Sequence, residues 1–209
     1  MSAPAVYLAS KSPRRQELLR QLGVDFEELL LREAPGRRRD FVEAPRKDEL
    51  PLDYVKRIAR TKAAVGWHRM VRRALPPRPV LGADTEVVLD GAIFGKPNDA
   101  RDAVRMLTLL SGRTHAVITA VAIAWEAQIV RAVSISDVTF RKLSREEIER
   151  YVATGEPFDK AGAYAVQGRA AAFIGRLAGS YSGVMGLPLC ETGELLGELG
   201  LAPSGTFRS

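Results

Sequence analysis

Apolar positions along the chain alternate between a strand-like and a helix-like period. Val6 to Ala9 is a short strand pattern, Pro13 to about Leu22 has helical spacing, and Val24 to about Leu31 returns to the strand type. A long helix follows from about Leu52 to Arg73, then a strand over Pro79 to Asp84 and a short hairpin turning at Asp90-Gly91. Asn98 stands where it can cap the next helix. Thr114 to Trp125 and Ile129 to Arg141 are two long strand patterns joined too tightly for a crossover, so the sheet must contain antiparallel pairs. Ser144 opens a helix with Glu147 at capping-box spacing, ending near Gly155. A Gly-rich stretch from Asp159 to Gly186 then precedes a last helix from about Cys190 to Leu199.

The pattern predicts an α/β fold with a mixed sheet and flanking helices. No internal repeat or domain boundary interrupts residues 1–209, so one domain is expected. Arg32 to Pro51 looks like an inserted loop, and the tail from Ala202 is expected to fray.

Composition narrows the class without fixing the function. Hydrophobic residues make up 46% of the chain, enough for a continuous core. The single cysteine, Cys190, excludes an internal disulfide, and the start MSAPAVYLAS lacks the features of a signal peptide. No apolar run is long enough to span a membrane, so cytoplasmic residence is expected. The net charge of +6 favours a polyanionic partner, either a small phosphate compound or a nucleic acid. Much of the excess lies in Arg37 to Arg39 and Arg69 to Arg73, which read as solvated loop and helix faces.

The segment Ser10-Lys11-Ser12-Pro13-Arg14-Arg15 is more informative. Ser12 suits the N-cap and Pro13 the first helical position, so a helix N-terminus with free amides faces the end of the first strand. Arg14 and Arg15 then oppose the helix dipole at roughly 0.3–1 kcal/mol each, a cost that a phosphate ligand would remove. Solvent-facing arginines would look the same in sequence. In the long helix, Lys62 falls on the apolar stripe of Val55, Ile58, Ala59 and Val65, where it either snorkels or reaches a phosphate. Asp84 in Gly82-Ala83-Asp84-Thr85 ends a strand, a usual place for a catalytic carboxylate and for an ordinary turn former. Gly95-Lys96-Pro97 and Asp159-Lys160-Ala161-Gly162 are equally open when read singly.

Basic groups together with carboxylates suit polyphosphate hydrolysis, in which cations hold charge and carboxylates carry Mg²⁺ or Mn²⁺. Mg²⁺ uses one or two carboxylates plus substrate phosphates, so His68 and His115 are expected to be structural.

The motifs ASKSPRRQELL, ARTKA, GADT, GKP, DKAGAYAVQG and GLPL, in this order, resemble the Maf family of nucleotide pyrophosphatases over nearly the whole chain. The resemblance implies two lobes around a deep cleft, similar to the inosine triphosphate pyrophosphatases. It makes Asp84 the catalytic acidic residue, as general base or metal ligand, with Ser10, Arg14, Arg15, Lys62 and Lys96 on the triphosphate. Arg14, Thr85 and Gln167 resemble the branch that prefers dTTP and UTP, and a Gln side chain can complement a pyrimidine amide edge.

A second family carboxylate, shared with the metal, falls at Glu43 or Glu33. Counting back from Lys62 and the Phe41-Val42-Glu43 context selects Glu43. Ala165 stands where the family often has Gly. The implied substrate is a nucleoside triphosphate with a divalent cation; no membrane or nucleic-acid partner is expected, and the commonness of homodimers makes one the expected assembly. The rival readings are a non-enzymatic nucleotide- or nucleic-acid-binding regulator of division, and a pyrophosphatase for modified nucleotides.

Overall fold

The computed structural model describes residues 5–31 and 41–201. Glu33, Arg37 to Arg39 and the tail from Ala202 lie outside the described residues. The described chain runs β1 (Ala5–Leu8), α1 (Pro13–Gln21), β2 (Asp25–Glu28), α2 (Pro51–Arg72), β3 (Val80–Leu89), β4 (Ala92–Phe94), α3 (Ala100–Leu110), β5 (Thr114–Trp125), β6 (Gln128–Phe140), α4 (Arg145–Val152), β7 (Ile174–Ala178), α5 (Tyr181–Met185) and α6 (Leu189–Glu198). Three short 3-10 turns fill residues 156–173.

One mixed sheet organises the molecule, in the order β2-β1-β3-β5-β6-β7, with β4 paired to β3. β1 is parallel to β2 and β3, whereas the β3, β5, β6 and β7 neighbours are antiparallel. The tight β5–β6 connection therefore makes the hairpin that its shortness required. Helices cover both faces of the central strands, and β3 and β5 accordingly lack a simple polar alternation. Ile118, Ala120, Ala122 and Ala124 of β5 pack with Val55, Ile58, Ala59 and Ala63 of α2, while Val121 and Ile123 join Leu18 and Leu19 of α1 and Leu195 and Leu196 of α6. Among the described residues no helix is long and apolar enough to cross a membrane.

Small residues let α2 lie directly on the sheet. A Cβ at Gly82 would stand 2.6 Å from the Ala63 nitrogen, 2.7 Å from the Ala59 carbonyl and 2.8 Å from the Lys62 Cβ. Glycine at this position is required by close backbone approach, and the approach brings Lys62 over the middle of β3.

Several local expectations need correction. β3 continues five residues past Asp84, so Asp84 sits in mid-strand and is no turn former. What opens this position is the neighbouring edge: β1 pairs with β3 only at Val80 and Leu81, and β4 only from Val87 onward. The N-cap of α3 is Asp99, whose side chain accepts from the Asp102 amide, and Asn98 instead donates to the Asp102 carboxylate. Ser12 holds the N-cap position of α1 without a side-chain cap; its amide donates to Ser10 Oγ at 3.2 Å. Ser144 and Glu147 form the full capping box. β7 and α5 emerge from the Gly-rich stretch, where Gly spacing obscured any period. In the arginine run of α2, Arg72 and Arg73 are exposed as expected, but Arg69 is buried.

Candidate active site

The gap between β1 and β4 along the edge of β3 opens into a cavity of about 530 Å³. Side chains from both faces of the strand reach it there, Asp84 and Glu86 on one side and Thr85 and Val87 on the other. Ser10, Arg14, Arg15, Glu43, Lys62, Asp84, Thr85, Lys96 and Gln167 all line this one cavity, although they come from six separate stretches of chain.

Lys62 is the centre of its acidic side. Its Nζ donates to Asp84 Oδ1 at 2.9 Å and stands 2.8 Å from Glu43 Oε1. The Lys62 and Asp84 side chains are only 11% and 10% exposed, whereas Glu43 is 43% exposed, so the first pair is desolvated and the second reaches solvent. Snorkelling is thereby excluded as the reason for a lysine on the α2 stripe. Asp84 Oδ2 is buried and has no hydrogen-bond partner among the described residues.

The basic side is built by α1. Arg15 donates from Nε to the Gly186 carbonyl at 2.8 Å, from Nη1 to Ser10 Oγ at 3.2 Å and from Nη2 to Thr85 Oγ1 at 3.2 Å. This guanidinium ties the β1–α1 loop to β3 and to the turn after α5, and so shapes the wall as well as charging it. Arg14 reaches Asp159 Oδ2 at 3.4 Å, a long contact that a stronger anion can displace. Lys96 is exposed on the loop after β4. The first turn of α1 contains no acidic residue, so its free amides and dipole favour an anion at the cavity wall.

Gln167 is exposed and lines the same cavity. Its loop is pinned from behind by Glu156, which accepts from the Tyr151 hydroxyl at 2.9 Å and the Arg169 amide at 3.1 Å. A Cβ at Gly168 would fall 2.2 Å from Glu156 Oε1, so the glycine after Gln167 is a packing requirement. Ala165 is buried beside the cavity with its neighbours Tyr164 and Val166.

Two polar residues of the cavity were not identified from sequence, Tyr54 and Glu86. Tyr54 is buried on α2, and burial followed by the nearby carboxylates pushes its phenol pKa up. Glu86 could have been found by strand parity, because it shares the face of Asp84 within an otherwise apolar strand end. Burial, then the charge of Asp84, pushes its carboxyl up to about 8, with Lys62 opposing.

His115 and His68 take no part in the cavity. His68 is exposed on α2, and His115 is buried among Phe140 and Tyr164, its Nε2 2.8 Å from the Tyr164 hydroxyl. Burial pulls the His115 pKa down from 6.5 to about 4. The unfolded chain takes up this proton near pH 6.5 and the folded chain only near pH 4, so stability falls as pH drops through that window. The expected loss is about 3 kcal/mol by pH 4. Urea unfolding at pH 7 and pH 4.5 checks it: His115→Phe should flatten the slope, and an unchanged slope would place the sensitivity elsewhere.

The fold and cavity define an α/β protein that sets a basic helix N-terminus opposite a buried lysine–carboxylate cluster at an open strand edge. The model of the Maf family, described as Maf-like protein, matches residues 5–199, and the chain belongs to this family. It is 57% identical to the "dTTP/UTP pyrophosphatase" of Cupriavidus metallidurans, covering 94% of this chain and 97% of the relative. The proteins of the same name from Nitrosomonas europaea and Dechloromonas aromatica are 53% and 52% identical, covering 94% and 95% of this chain and 95% and 98% of theirs. Among solved structures, the Staphylococcus aureus Ham1 protein matches with a TM-score of 0.40 and 11% identity, over 81% of this chain and 90% of that one.

Proposed function

We propose that this protein is a divalent-metal-dependent pyrophosphatase that hydrolyses dTTP or UTP to the nucleoside monophosphate and pyrophosphate. The observation that carries the reading is the buried Lys62–Asp84 pair, placed in one cavity with Glu43 and facing the N-terminus of α1. A site for charge neutralisation alone would not retain a desolvated carboxylate. The names of the relatives supply the substrate class.

Arg14, Lys96 and the first-turn amides of α1 bind the triphosphate and stabilise charge on the leaving pyrophosphate. Arg15 holds Ser10 and Thr85 in place for the same purpose. Lys62 fixes the orientation of Asp84 through Oδ1, which leaves Oδ2 to serve as general base toward the attacking water or as a ligand of the divalent cation.

The residues present fit Mg²⁺ or Mn²⁺. Asp84 Oδ2 is a buried oxygen donor without a partner, and Glu43 reaches the same lysine from the open side. Among the described residues no three His, Cys, Asp or Glu side chains already form a cage, and Mg²⁺ completes its shell with water and phosphate oxygens. Asp84 and Glu43 would hold the ion, which supplies charge neutralisation at the phosphates when bound.

Gln167 reads the base through its amide, which offers a donor and an acceptor to the pyrimidine edge. The test is pyrophosphate release from common and modified nucleoside triphosphates, with and without Mg²⁺ or Mn²⁺. Metal-dependent release from dTTP and UTP is expected, and Gln167→Ala should raise KM for both by roughly tenfold with a smaller change in kcat. Release confined to purine or methylated nucleotides would overturn the base assignment. Absence of release, with binding to DNA that weakens steeply with salt, would favour a nucleic-acid-binding regulator.

A further inference from the structure

Glu86 occupies a position on β3 where an apolar residue would ordinarily be placed. It follows Gly82 and Asp84 at strand parity, on the face that α2 covers, with Val88 next in the series. Its carboxylate reaches toward the loop after β4, where a Cβ at Gly95 would lie 4.0 Å from Glu86 Oε2. That oxygen is buried and has no hydrogen-bond partner among the described residues.

Asp84 Oδ2 is in the same condition, and Asp84 as a whole is 7% exposed. The two residues stand about 7 Å apart along one strand face. Both line the cavity. Lys62 already engages the other oxygen of Asp84 and a Glu43 oxygen, and the two orphaned oxygens are buried donors on this wall without a partner among the described residues.

We infer that Glu86 is a carboxylate ligand of the divalent cation, forming with Asp84 a two-oxygen seat on β3. Mg²⁺ and Mn²⁺ take one or two protein carboxylates and fill the remaining positions with phosphate oxygens and water, which matches a two-donor seat open to the cavity. Glu86 then takes the ligand place given above to Glu43, whose carboxylate is already engaged by Lys62 from the solvent side. This assignment rests on the metal-dependent reading above and extends it to a residue that the family motifs did not single out.

The test is Mn²⁺ binding to the full chain, followed by electron paramagnetic resonance, alone and with the non-hydrolysable α,β-imido analogue of dUTP. Glu86→Gln keeps the size of the side chain and is expected to weaken Mn²⁺ binding on the order of tenfold or more. Affinity for the analogue in EDTA should change less than about twofold. If the glutamine variant fails to fold, Glu86→Asp keeps the charge on a shorter stem and should still weaken Mn²⁺ binding severalfold. Wild-type Mn²⁺ affinity in a folded Glu86 variant overturns this assignment and leaves the proposed function standing. No Mn²⁺ binding by the wild type overturns both, whereas Glu86-dependent binding without pyrophosphate release sinks only the proposed activity.

Discussion

Asp84→Asn is expected to lose about 10³-fold or more of kcat for dTTP while the protein stays folded. The substitution is isosteric, and the amide oxygen can still accept from Lys62 at the position of Oδ1. What disappears is the negative charge and the basic oxygen at Oδ2, the atom that the cavity leaves without a partner. Loss of that oxygen, as general base or as metal ligand, accounts for a barrier increase of about 4 kcal/mol or more. Pyrophosphate release measures the first claim, and circular dichroism with thermal unfolding measures the second. A folded Asp84→Asn variant with near-normal turnover would remove Asp84 from the mechanism.

The largest loss of stability should come from Lys62→Met. Methionine preserves the packing of the stem against Gly82 but leaves Asp84 as a buried carboxylate with neither oxygen paired. Removing one partner of a buried ion pair typically costs 3–5 kcal/mol, which for a chain of this size lowers Tm by roughly 10 °C. The charge itself is responsible, so adding Asp84→Asn to Lys62→Met should recover most of the loss. Stability equal to wild type in the single variant would show that Lys62 does not hold a charged Asp84. Activity should be abolished in both.

Long periodic segments were legible because burial imposes its period on them. The β5–β6 hairpin, the length of α2 and the capping box of α4 are local matters, set by residue spacing and short-range hydrogen bonds. The stretch from Asp159 to Gly186 resisted the same treatment. Its glycines answer to distant partners: Gly162 lies against Val87, Gly168 against Glu156 and Gly179 against Ser136. No local pattern encodes such contacts, and β7 and α5 were hidden with them.

The residue types of the site, and the choice of Glu43, also came from sequence, through motif order and counting from Lys62. Their spatial relation did not. Lys62 and Asp84 are 22 positions apart and become partners only because Gly82 admits the backbone of α2 onto β3. Arg15 and Gly186 are 171 positions apart and meet because α1 and α5 cover the same face.

The chain by itself thus determined the order of the long elements, the mixed character of the sheet and the capping box of α4, since each follows from periodicity and composition along a contiguous segment. Tertiary structure alone decided that Asp84 lies in mid-strand at an open edge and that Lys62 is desolvated between two carboxylates. It alone also placed Glu86 beside them. Burial and dielectric at a point depend on everything packed around it, and those surroundings are contributed by segments far apart in sequence.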